Sequence, residues 1–251
     1  MQRKAFIAAN WKMHTTLVEA CTLASAVARA AEGLSDREVM LAPPFTVISE
    51  VAHLLQNTTI ILAGQNVCWE PQGAFTGEIS PVMLKDSGAR AAIIGHSERR
   101  HLFGETDALI NKRLKGAIAH DLIPVFCIGE TLDERESGNT FSVLEKQVRE
   151  GLADIAESQM GKMVIAYEPV WAIGTGKTAS KEQAQDAHAF IRGLIERLYE
   201  KGVAENLRIV YGGSVKPGNV DELMAQTDID GALVGGAALD AESFGRIIHF
   251  K

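Results

Sequence analysis

Residues 166–177 read Ala-Tyr-Glu-Pro-Val-Trp-Ala-Ile-Gly-Thr-Gly-Lys, which sets a carboxylate beside a hinged cover. Glu168 ends an apolar run and precedes Pro169, whose ring disfavours helical backbone one residue earlier, so the carboxylate is held extended at a strand tip. Gly174 and Gly176 then free the backbone again. A base at the root of a glycine-hinged flap suits proton abstraction in a site closed to water. Apolar neighbours such as Trp171 are expected to raise its pKa toward neutrality.

Three further groups complete a reaction centre. Asn10-Trp11-Lys12 puts a cation after an apolar stretch, where it would meet an anionic substrate or a developing oxyanion. Gly95-His96-Ser97-Glu98-Arg99-Arg100 puts a histidine between an apolar stretch and a helix start, with Ser97 available as the cap. A helix N-terminus disfavours imidazolium, so His96 is expected to stay neutral and donate a hydrogen bond. Gly212-Gly213-Ser214 and Gly235-Gly236 follow two more apolar stretches and offer backbone donors for a phosphate. Taken singly, each has a bland explanation: a surface lysine, a structural histidine, a solvated glutamate, a tight turn. Their shared position at strand ends favours chemistry. Gly174-Thr175-Gly176-Lys177-Thr178 is not a nucleotide-binding loop, because the glycine that motif needs at position 171 is a tryptophan.

The elements that must hold these groups are short apolar runs at 5–10, 38–42, 59–63, 91–95, 123–128, 163–168, 207–211 and 231–235. Unbroken apolar character fits parallel strands covered on both faces. Helix-compatible stretches lie between them. One at 17–32 stops at Gly33; another is set by Ser80-Pro81 and stops at Gly88. A third opens with a Ser180/Gln183 capping box and runs to about Gly202. Eight repeats of strand then helix in 251 residues, with polar or glycine residues at the strand ends, predict an α/β fold: a closed (β/α)8 TIM barrel forming a single domain, 1–251.

Bulk composition excludes several classes. The chain is 46% hydrophobic with a net charge of −7, so neither nucleic acid nor an anionic membrane is an expected partner. The three cysteines, Cys21, Cys68 and Cys127, lack zinc-site spacing and fit a reducing, cytoplasmic compartment. The apolar stretch from Ala5 to Ala9 is too short for a signal-peptide core.

With Asn10-Trp11-Lys12, the 95–100 segment and the 166–177 segment in hand, the chain resembles the triosephosphate isomerase family over essentially its whole length. The resemblance extends to the loop running from Gln72 to Ser80, to Cys127-Ile128-Gly129-Glu130 and to both glycine turns. It implies interconversion of dihydroxyacetone phosphate and glyceraldehyde 3-phosphate in glycolysis and gluconeogenesis, without metal or organic cofactor. It further implies Glu168 as the base, His96 as the electrophile, Lys12 and Asn10 at the substrate oxygens, and Glu98 positioning Lys12. The phosphate would sit on Gly174, Ser214, Gly235 and Gly236. The same resemblance implies a homodimer joined through the Gln72 to Ser80 loop. A barrel isomerase for a larger sugar phosphate would leave the Glu168 flap with His96 unexplained, and a non-catalytic anion-binding barrel would be expected to have lost Lys12, His96 or Glu168, all of which are present.

Overall fold

The computed structural model describes residues 3–173 and 178–251. Eight parallel strands close on themselves in chain order: β1 (Ala5–Asn10), β2 (Arg37–Ala42), β3 (Ile61–Gly64), β4 (Ala91–Ile94), β5 (Ile123–Ile128), β6 (Val164–Tyr167), β7 (Arg208–Tyr211) and β8 (Gly231–Val234). This is the (β/α)8 barrel that the apolar runs predict, and its cause is visible in the alternation of side chains. Phe6 and Ala8 point into the barrel with Met40, Ile93, Val125 and Leu233, while Ile7 and Ala9 pack outward against the helices. Both faces are buried, so both must be apolar.

Register brings the strand ends level. Asn10 pairs with Ala42, Ala9 with Val234, and Tyr167 lies between Ile128 and Tyr211. The residues that follow these positions therefore share one rim.

Helix starts carry their expected caps. The Ser80 hydroxyl accepts the Met83 N–H at 3.1 Å, and Pro81 opens the helix Pro81–Asp86. Ser180 and Gln183 cap Lys181–Leu198 reciprocally, at 3.2 and 3.0 Å. That helix does not reach Gly202. It stops at Leu198, and a separate helix, Lys201–Asn206, contains Gly202. Tyr199 breaks the run: its backbone turns to φ −122°, ψ −121°, and its hydroxyl reaches the carbonyls of Ile155 at 3.2 Å and Leu152 at 3.4 Å. The first helix ends at Ala30 and not Glu32, with Gly33 at φ +79° in the turn beyond. Among the described residues, no helix is long and apolar enough to cross a membrane.

Candidate active site

Glu168 is the first residue past β6, and its N–H donates to the Ile128 carbonyl at 2.7 Å. Two glycines make room for it. A Cβ on Gly129 would stand 1.7 Å from the Glu168 carbonyl oxygen, and one on Gly212 would stand 2.8 Å from its Cγ. The side chain is 2% exposed. One carboxylate oxygen accepts the Ser97 N–H at 2.9 Å, and the other lies 3.0 Å from His96 Nε2.

His96, not Ser97, is the cap of the helix Ser97–Phe103. Its Nδ1 accepts the Glu98 N–H at 3.2 Å. Ser97 is the first helical residue, and its backbone N–H is committed to Glu168. An accepting Nδ1 carries no proton, so the neutral ring bears its hydrogen on Nε2 and points it at the carboxylate.

The electrostatics correct the expectation for Glu168. Burial does raise its pKa, but the His96 ring, the Ser97 N–H and the Lys12 ammonium together reverse that, so the carboxyl is held below its ordinary value. Trp171 does not set this balance; its indole N–H donates to Glu130 at 3.0 Å. For His96, burial lowers the pKa, yet the adjacent Glu168 carboxylate outweighs it and raises the ring above its ordinary value. Most of the raising cause disappears if Glu168 leaves the ring: only the Glu98 charge then stands against burial, the Lys12 ammonium and the helix end.

Lys12 enters from β1 with a left-handed backbone, φ +52°. That conformation is pinned from two sides. Its N–H donates to Asn10 Oδ1 at 2.9 Å, and its carbonyl accepts the Gln65 amide at 2.7 Å. Its ammonium meets Glu98 Oε1 at 2.6 Å. Gly235 leaves space for the lysine stem, since a Cβ there would touch Lys12 Cε at 3.4 Å.

A cleft of about 360 Å³ joins these groups. Asn10, Lys12, His96 and Glu168 line it together with Gly212, Gly213, Ser214, Gly235 and Gly236. Every site residue the sequence singled out, apart from Glu98 and Gly174, therefore lines one cavity; Glu98 touches it through Lys12. Gly174 lies outside the described residues. Among the described residues, no cluster of three or more His, Cys, Asp or Glu side chains could hold a metal ion.

Several supporting residues escape sequence reasoning. Fully buried Glu130 accepts from the Tyr167 hydroxyl at 3.1 Å, Trp171 Nε1 at 3.0 Å and Arg135 at 3.0 Å, tying the flap root to β5 and β6. Gln65 also bonds the Ala42 carbonyl at 2.9 Å. Gln147 clamps Gly129 on both its N–H (2.8 Å) and its carbonyl (3.0 Å). The 127–130 motif marks Gly129 and Glu130 without showing what they hold, and apart from Arg135 their partners lie 18 to 41 residues away.

Comparison with known proteins agrees with this geometry. Residues 5–251 match the family model described as triosephosphate isomerase. The chain is 55% identical over 249 residues to the triosephosphate isomerase of Syntrophotalea carbinolica, covering 99% of each chain. It is 53% identical to that of Endomicrobium trichonymphae, again over 99% of each, and 52% identical to that of Chloroflexus aurantiacus, over 99% of this chain and 100% of the other. The chain belongs to the triosephosphate isomerase family.

Proposed function

We propose that this chain interconverts dihydroxyacetone phosphate and glyceraldehyde 3-phosphate, the isomerisation of its family, with Glu168 as base and His96 as electrophile. The observation that carries the reading is the Glu168–His96 contact at 3.0 Å on a rim shared with Lys12 and two glycine turns. In the unliganded arrangement Glu168 is parked on Ser97 and His96. Substrate oxygens would take over the Nε2–H of His96 and the Lys12 ammonium, releasing the carboxylate toward the carbon beside the carbonyl.

Glu168 then removes a proton from that carbon, and the electron pair passes to the carbonyl oxygen as an enediolate. His96 hydrogen-bonds the oxygens and shuttles a proton between them. Return of the proton from Glu168 to the neighbouring carbon completes the isomerisation. Lys12 meets the developing negative charge, which preorganised donors in a water-poor cleft stabilise strongly. Asn10 bonds the oxygens, and Glu98 holds Lys12 in place. The phosphate sits on Ser214, Gly235 and Gly236, with Gly174 as the further donor that the family resemblance implies. The chemistry is proton transfer between adjacent carbons and calls for neither metal nor organic cofactor.

A three-carbon phosphate suits a cleft near the lower end of ligand-pocket volumes. A homodimer is part of the same reading. Exposed Met13, Val18, Phe75, Val82, Met83, Leu102 and Phe103 sit on the loops and helices after β1, β3 and β4, and Phe75 in the Gln72 to Ser80 loop packs edge-on against Trp69 at 5.3 Å. Light scattering should give about twice the 27.1 kDa chain mass; a monomer would reject the dimer. Three free cysteines and the negative net charge support a cytoplasmic protein with no nucleic-acid partner. A coupled assay with each triose phosphate tests the activity. Turnover in both directions is expected, and none with either substrate overturns the reading.

A further inference from the structure

The net charge of −7 opposes an incoming phosphate dianion, so attraction must be local. Lys12, at the cleft floor, is partly neutralised by Glu98 at 2.6 Å. Lys216 differs. It lines the same cleft two residues beyond Ser214, and its side chain is exposed.

The turn that carries Lys216 is fixed at both ends. Its N–H donates to Asn219 Oδ1 at 2.8 Å, and the Asn219 amide donates to the Ser214 carbonyl at 2.9 Å. The carboxylates nearest in sequence are already occupied: Asp221 is bound by Arg246 and by the Lys251 N–H, and Glu222 by Lys181 at 3.4 Å. Among the described residues, Lys216 forms no ion pair. A held turn thus presents an uncompensated cation beside the glycine turns.

We propose that Lys216 is a cationic landing point for the substrate phosphate at the mouth of the cleft, engaging the dianion before Ser214, Gly235 and Gly236 take it over. The proposal rests on the triose phosphate reading above. It assigns Lys216 a role in capture and none in proton transfer.

Lys216→Gln tests it, with Lys216→Arg as the charge-keeping variant. Lys146→Gln on the exposed side of the helix Thr140–Gly151 removes the same charge at a position that does not line the cleft. A unit charge about 10 Å from a dianion in water is worth about a 2.5- to threefold change in encounter at ~10 mM ionic strength, falling to about 1.3-fold near 0.3 M. The expected result is that loss in kcat/KM for Lys216→Gln at low salt, fading with added salt, with kcat unchanged. Lys216→Arg and Lys146→Gln should match the parent. No loss at low salt, a loss that ignores salt, or an equal loss in Lys146→Gln overturns the proposal. An inactive parent would instead reject the triose phosphate reading itself.

Discussion

Replacing Gly129 by alanine should displace the base without touching any group that meets substrate. The added methyl would lie 1.7 Å from the Glu168 carbonyl oxygen and 2.6 Å from its carbonyl carbon, where contacts under 3.0 Å are not tolerated. The two backbones must therefore part by about 1.3 Å. Gly129 resists moving, because Gln147 holds both its N–H and its carbonyl. Most of the shift falls on Glu168, whose N–H is bonded to Ile128. A misplacement of roughly 1 Å in a reacting group costs about 100-fold, so a shared displacement predicts a kcat/KM loss of about 10- to 100-fold. Overpacking should also lower stability by about 1–3 kcal/mol, which leaves a folded protein to assay. Steady-state kinetics alongside a urea melt separates the two effects. Gly212→Ala, with its clash at 2.8 Å against Glu168 Cγ, is the milder companion should Gly129→Ala fail to fold. A folded Gly129→Ala enzyme within about twofold of the parent would refute the idea that these glycines set the base.

The Lys12–Glu98 pair separates contact from support. Lys12→Met should cut kcat/KM by about 100- to 1,000-fold, as loss of a charge-stabilising donor does. Glu98→Gln should cost about fivefold or less, because the Glu98 side chain is 42% exposed and the pair is correspondingly weak; equal losses in the two would contradict the assigned roles. The His96 ring, followed by NMR titration, should titrate above 6.5 in the parent and lower than the parent in Glu168→Gln, since only the Glu98 charge then offsets burial and the Lys12 ammonium. In the parent the raised ring contributes stability that is complete below its ordinary value of 6.5 and fades as pH rises through the raised pKa, while the contribution of the lowered Glu168 carboxyl is lost as pH falls through its own depressed pKa; Glu168→Gln should flatten both limbs. An unchanged titration would mean that Glu168 does not govern the ring.

The barrel was legible because strands buried on both faces leave unbroken apolar runs, and the glycines after them mark the rim. Boundaries slipped where side-chain bonds to backbone groups decide. The run at 59–63 begins as a strand only at Ile61, because the Thr58 hydroxyl is spent on Leu55 at 2.9 Å and on Ile60 at 3.3 Å, which keeps that stretch in the preceding turn. The helix expected to reach Gly202 ends where Tyr199 finds carbonyls 44 and 47 residues away. The site residues were readable as types at strand ends, and the family resemblance supplied their roles. Their protonation was not readable. The direction of the Glu168 shift depends first on the His96 ring and then on the Ser97 N–H 71 residues earlier, and the cap of the 97–103 helix proved to be an imidazole instead of a serine hydroxyl.

With Glu168 as the base and the glycine turns holding the phosphate, the two functions should separate in Glu168→Gln. The variant's kcat, measured beside its inhibition constant for inorganic phosphate, tests this most directly. The expected result is a kcat loss of at least about 100-fold, the scale of general base catalysis, with phosphate inhibition within about twofold of the parent. A variant that isomerised triose phosphates at close to the parent rate would contradict it.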